Sequence, residues 1–133
     1  MKNDLGKKKI LVVDDEIISQ DITATILSDK YNVLTSKSGK DALKQLVTYK
    51  PDLILLDVIM PEMDGWETFH KIRGISLLNQ VPIAFLTMLS ETDGLEQAKS
   101  LGASDYFTKP LDAADFLYRV DKIIEKSHPK KLE

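Results

Sequence analysis

The sequence predicts an α/β fold: a single doubly wound domain built on a five-stranded parallel sheet with five helices. Two observations carry this expectation. Strand-like apolar runs alternate with helix-periodic segments five times along the chain, an order that implies parallel strands, right-handed crossovers and helices on both faces. The run Leu53-Ile54-Leu55-Leu56 has no polar break, which marks a strand buried on both faces. At 133 residues the chain fits one domain and is long enough to bury a sizeable core.

The elements follow in order. Ile10–Val13 is a β-branched strand, and Glu16 to about Asp29 is helical, with Ile18, Ile22 and Ile26 recurring at helical spacing. Tyr31–Thr35 is a weaker second strand. Ser38 to about Tyr49 is a helix with Ala42, Leu43 and Leu46 on one stripe. Leu53–Leu56 is strand three, and Asp64 to about Gly74 is a helix with Phe69 and Ile72 as its apolar pair. Pro82–Leu86 is strand four, followed by a helix from Glu91 to Leu101 that buries Leu95, Ala98 and Leu101. Ser104–Thr108 is strand five, and Ala113 to about Lys126 is the last helix, with Leu117, Val120 and Ile124 as a core stripe that leaves Phe116 or Tyr118 outside it.

Helix starts carry their own punctuation. Ser38, Asp64, Ser90 and Asp112 each precede an acid by three residues, the pattern of a capping side chain with an acid suited to the positive end of the helix dipole. Gly39 and Gly65 mark tight entries, and Gly102 a helix stop. Gly94, inside helix four, is expected to weaken that helix by up to about 1 kcal/mol relative to alanine.

Composition excludes several classes of function. Hydrophobic residues at 43% and charged residues at 29% are ordinary for a soluble domain. A net charge of −3, from 18 basic and 21 acidic side chains, favours neither nucleic acid nor an anionic membrane as partner. The absence of cysteine removes disulfides, thiolate catalysis and zinc-thiolate sites. The amino terminus lacks a signal peptide's apolar stretch, and no run approaches the ~20 residues of a transmembrane helix. The expectation is a cytoplasmic domain over residues 9–126, with tails at 1–8 and 127–133. The terminal Leu132-Glu133 reads as a linker or cloning scar, so the chain reads as a piece of a longer protein.

Chemistry gathers at the strand ends. Asp14, Asp15 and Glu16 follow strand one, Asp57 ends strand three, Thr87 follows strand four, and Lys109-Pro110 follows strand five. In a parallel sheet these points share the carboxyl edge, where open α/β sheets place ligands. Taken singly, Asp14 and Asp15 read as helix caps, Thr87 as a strand end and Lys109 as a solvated charge. Taken together they form a set. An acid cannot stay ionised inside the core without large cost, so Asp57 is expected to emerge at that edge. Clustered carboxylates repel unless a hard cation such as Mg²⁺ offsets them. A carboxylate beside a fixed cation can attack phosphorus to give an aspartyl phosphate. A metal ion and Lys109 would then neutralise the transferring group's oxygens while Thr87 donates a hydrogen bond.

At these residues the chain resembles a response-regulator receiver domain of two-component signalling. The motifs are Val12-Val13-Asp14-Asp15-Glu16, Leu55 through Gly65, Leu86-Thr87, and Gly102 through Pro110, and the resemblance runs from about Lys8 to Lys126. It implies strand order 2-1-3-4-5, an order the general rule for doubly wound sheets itself illustrates with a receiver-type protein. It also implies a regulatory module rather than a turnover enzyme, with Asp57 accepting a phosphoryl group from a sensor histidine kinase or phosphotransfer protein. Mg²⁺ would be held by Asp14, Asp15, Asp57 and the backbone carbonyl of Ile59. Thr87 and Tyr106 would form a switch pair, Lys109 would ion-pair with the phosphoryl group, and the Lys109-Pro110 bond would be cis. The switched face, helix four to helix five, would receive an effector domain or a second copy of the chain.

Met88 departs from the family pattern, where the residue after the threonine is usually small, and is expected to narrow access to Asp57. Ile59 and Leu89 stand where polar side chains often guide a hydrolytic water, so a long-lived aspartyl phosphate is expected. The competing enzyme class is a haloacid-dehalogenase-type phosphohydrolase, whose second aspartate follows the nucleophile by two positions, where Asp14 is followed by Glu16. No Gly-rich phosphate loop follows strand one. His70 reads as an ordinary helix residue, His128 as solvated, and Trp66 as packing against the domain.

Overall fold

The computed structural model describes residues 6–127 and contains five strands and five α-helices in strict alternation. The strands are β1 (Lys9–Val13), β2 (Asn32–Ser36), β3 (Leu53–Leu56), β4 (Ile83–Thr87) and β5 (Tyr106–Thr108). The helices are α1 (Ile17–Leu27), α2 (Gly39–Gln45), α3 (Gly65–Arg73), α4 (Glu91–Leu101) and α5 (Ala113–Ser127). All pairings are parallel, in the order β2-β1-β3-β4-β5. The expected fold class and strand order are what the structure has. Of the expected tails at 1–8 and 127–133, residues 1–5 and 128–133, with His128 and the Leu132-Glu133 scar, lie outside the described residues; Ser127 belongs to α5, so the last helix runs one residue into the expected tail.

Alternation along the strands feeds two cores. Leu11, Val13, Ile54, Leu56, Ile83 and Phe85 face α2, α3 and α4 through Ala42, Leu46, Phe69, Ile72 and Ala98. Ile10, Val12, Leu53, Leu55, Ala84 and Phe107 face α1 and α5 through Leu27, Phe116, Val120, Ile123 and Ile124. β3 is buried along its whole length, as its unbroken aliphatic run requires when both faces are covered. The four caps form: Ser38, Asp64, Ser90 and Asp112 accept the N–H of Asp41, Glu67, Asp93 and Asp115, respectively. Gly102 ends α4 in the left-handed region at φ 84°.

Several expectations are corrected. Of the Ile18, Ile22, Ile26 stripe only Ile26 packs against the core: Ile18 and Ile22 are 77% and 52% exposed, and the helix buries Thr23 and Leu27. These lie one residue on, about 100° round the helix, so α1 carries apolar side chains on two sides. Helix two stops at Gln45, short of Tyr49, and continues as turns. A 3₁₀ turn at Ser76–Leu78 precedes β4. Phe116 belongs to the core, edge-on to Phe107 at 4.8 Å between centroids, whereas Tyr118 is exposed.

The β3–α3 connection presses against the strand end it follows. A Cβ at Gly65 would stand 2.2 Å from the Asp57 carbonyl oxygen and 2.7 Å from the Val58 Cα, while the Gly65 N–H donates to the Val58 carbonyl at 2.8 Å. Only glycine admits this approach. Gly65→Ala must displace backbone, so urea unfolding should show a loss of about 1–3 kcal/mol with little change in m-value.

Candidate functional site

The carboxyl ends of β1, β3, β4 and β5 converge as the topology dictates. The Asp14 N–H donates to Ser36 of β2 at 3.0 Å, and the Asp57 N–H to Val13 of β1 at 3.0 Å, so both acids sit one step past the ladder. The Lys109 N–H donates to the Thr87 carbonyl at 2.9 Å, and the Lys109-Pro110 peptide is cis. Asp57 lies at the edge, as expected, yet is only 4% exposed; Asp14 and Thr87 are buried more fully still.

Such burial is sustained by hydrogen bonds and one cation. Lys109 Nζ reaches Asp14 Oδ2 at 2.8 Å and Asp57 Oδ2 at 3.1 Å. Asp57 Oδ1 accepts the Ile59 N–H at 3.1 Å. Asp14 also accepts the Glu16 N–H at 3.0 Å and the Ser19 hydroxyl at 2.7 Å. Burial raises the Asp57 carboxyl above its ordinary value; Lys109 and a hydrogen bond from the Thr87 hydroxyl pull it back without cancelling the rise, and Asp14 adds to it. Burial lowers the Lys109 ammonium, but hydrogen bonds and attraction to the two carboxylates outweigh this and leave it raised.

Asp14, Asp15 and Asp57 each bring a carboxylate oxygen within 4.8 Å of the others. Three hard oxygen donors, two of them buried, fit a divalent cation of the Mg²⁺ or Ca²⁺ kind. Asp15 is exposed and completes the set from the solvent side.

The site's mouth is lined by Asp15, Glu16, Ile59, Met88 and Lys109 around Asp57. Ile59 and Met88 thus stand at the mouth itself, and both are largely exposed. Leu89 does not: its side chain packs on the core beneath α4, although its backbone N–H donates to the Thr87 hydroxyl at 3.2 Å. Tyr106 is buried, and its hydroxyl donates to the carbonyls of Leu89 at 2.8 Å and Ser90 at 3.3 Å. Trp66 packs 4.7 Å from Phe85, and His70 is exposed on α3.

Sequence reasoning missed two features. Ser19, in the first turn of α1, fixes the Asp14 carboxylate; its place five residues beyond Asp14 was the available signal. The exposed isoleucines Ile17, Ile18 and Ile22 join Met88, Pro110 and Leu111 in an apolar groove beside the acidic mouth.

Residues 10–121 match the response regulator receiver domain family. The chain belongs to that family. This receiver is 40% identical over 121 residues to the alkaline phosphatase synthesis transcriptional regulatory protein PhoP of Bacillus subtilis, covering 90% of this chain and 50% of the relative. It is 33% identical to a probable cyclic di-GMP phosphodiesterase of Vibrio cholerae, covering 97% of this chain and 29% of the relative. The receiver therefore spans about half or less of the curated relatives it matches. Among solved structures, the chemotaxis protein CheY4 of Vibrio cholerae superposes with a TM-score of 0.82 at 29% identity, over 89% of this chain and 99% of that one. The BeF3-activated DrrB receiver domain gives 0.80 at 28%, over 90% and 98%. Among the described residues, no helix is long and apolar enough to cross a membrane.

Two outcomes follow from the electrostatics. Because the folded state holds the Asp57 proton to higher pH than the unfolded state, stability from this group is present at low pH and is lost as pH rises through the folded pKa. In metal-free buffer near neutrality, Asp57→Asn should therefore melt above the parent, and the gap should close as pH falls toward the ordinary carboxylate value of 3.8. A divalent cation at about 100 times its Kd should stabilise the parent by about 2.7 kcal/mol. Thermal denaturation of Asp15→Ala should show that gain largely lost.

Proposed function

We propose that this receiver takes a phosphoryl group onto Asp57 from the phosphohistidine of a sensor histidine kinase or phosphotransfer protein, with Mg²⁺ as cofactor, and relays the change through α4, β5 and α5. The observation that carries this reading is Lys109 Nζ held between Asp57 and Asp14 within a three-carboxylate cluster. An Asp57 oxygen attacks phosphorus, the P–N bond to the donor imidazole breaks, and the imidazole leaves with that electron pair. Asp57 loses its own charge in becoming the acyl phosphate, so Lys109 is free to pair with a phosphoryl oxygen while the buried Thr87 hydroxyl donates to another. Mg²⁺, held by Asp14, Asp15 and Asp57 with the Ile59 carbonyl as further ligand, would supply charge neutralisation on the transferring group.

The apolar groove of Ile17, Ile18, Ile22, Met88 and Leu111 supports docking of a donor helix beside the mouth. At the opposite flank, Arg119 ties α5 to β5. Its guanidinium grips Asp105 at 2.6 and 3.0 Å and lies 4.5 Å from the Phe107 ring centre. That face suits an effector domain or a second copy, and the greater length of the transcriptional relatives favours an effector domain joined to the receiver. The reading includes neither direct nucleic-acid contact nor membrane contact nor enzymatic turnover, and it places the receiver in the cytoplasm.

Incubation with Mg²⁺ and acetyl phosphate should add one phosphoryl mass by mass spectrometry, and Asp57→Asn should show none. Absence of gain in the parent, or steady turnover of phosphomonoesters, would overturn the reading. With Ile59 and Met88 shielding the mouth from an oriented water, the adduct should last minutes or longer without a phosphatase. Decay within seconds would refute the shielding.

A further inference from the structure

We propose that Gly94 is a positioning residue: the side chain it lacks is the slot that admits the Tyr106 ring beneath α4. A Cβ at Gly94 would stand 2.1 Å from Tyr106 Oη, 2.8 Å from Cζ and 2.9 Å from Leu89 Cδ2. Gly94 is buried and is the fourth residue of α4, its N–H donating to the Ser90 carbonyl, and glycine within a helix weakens it. Its φ lies outside the left-handed region, so its backbone gives no reason for glycine. The ring gives one. Tyr106 is 2% exposed and its hydroxyl is fixed by the carbonyls of Leu89 and Ser90. A rigid phenol fixed at its tip cannot yield by an ångström; it must leave the slot.

The slot connects to the site through a continuous set of contacts. The Tyr106 hydroxyl holds the Leu89 carbonyl, the Leu89 N–H holds the Thr87 hydroxyl, and the buried Thr87 hydroxyl acts on the Asp57 carboxyl, lowering its pKa. Filling the slot therefore loosens the segment that presents Thr87. This consequence rests on the phosphoacceptor reading given above; the slot itself does not.

The test is a cycle of Gly94→Ala and Tyr106→Ala. In the Tyr106→Ala background the slot is empty, and Gly94→Ala should raise the urea midpoint, as helix propensity demands. In the parent, Gly94→Ala should lower it. Equal stabilisation in both backgrounds would overturn the slot. If Gly94→Ala alone fails to fold, Tyr106→Ala must restore folding; failure of the double variant also counts against the proposal. In fluorotyrosine-labelled protein, the ¹⁹F resonance that Tyr106→Phe removes should become accessible to a dissolved paramagnet in Gly94→Ala, and an unchanged, protected resonance would refute displacement.

For the functional consequence, beryllofluoride with Mg²⁺ can be titrated against the fluorescence of Trp66, the single tryptophan. Gly94→Ala should weaken binding about five- to tenfold, within the range of couplings between sites. The double variant should match Tyr106→Ala alone. Unaltered affinity in Gly94→Ala would sever the slot from the site. A parent that never binds beryllofluoride would instead sink the phosphoacceptor reading, while the stability cycle would still decide the slot.

Discussion

An ammonium held between two buried carboxylates is the contact on which the arrangement depends. Asp14 and Asp57 directly follow adjacent strands, β1 and β3, but Lys109 comes from beyond β5 and reaches across the end of β4 to meet them. Leaving either acid unpaired in so buried a place would be strongly unfavourable. The pair adds little stability by itself; its cost is tolerated because the surrounding sheet is rigid and because Ile59, Glu16 and Ser19 donate further hydrogen bonds to the two carboxylates. The two cores, one on each face of β3, hold the strand ends in register and so hold these charges together.

The fold was readable because local signals agreed with the global answer. The aliphatic run of β3, the four side-chain caps and the alternation of periods all pointed to one architecture. The polar residues at the strand ends were readable for a related reason, since topology brings every carboxyl end to one edge. What escaped was whatever depends on which side of an element meets a neighbour. Periodicity showed that α1 is a helix but not that Thr23 and Leu27, rather than Ile18 and Ile22, face the sheet. Leu89 was read as a mouth residue by position, but α4 draws its side chain inward. Gly94 looked like a defect in a helix, because nothing local in the sequence reveals a ring donated by a strand twelve residues on.

The two flanks of the site differ in character. Toward α1 lies an open apolar groove, whose isoleucines serve no core. Toward α4 and α5 lies a tightly tied surface, with Tyr106 buried beneath α4 and Arg119 gripping Asp105. A loose, adaptable surface suits a partner that must come and go. A tied surface suits one that must sense whether the ties hold.

The single lysine among three acids also fixes the arithmetic of charge at the site. Asp14, Asp15 and Asp57 against Lys109 leave two formal negative charges, the complement of one divalent ion. A phosphoryl group of about −1.5 to −2 would arrive as the Asp57 carboxylate is consumed, so the net change is about one charge. The event is chiefly a relocation, carrying negative charge outward from the buried edge of the sheet toward Met88 and solvent. A partner at this surface would meet a charge in a new place more than a larger one, and a uniform rise in ionic strength would imitate it poorly.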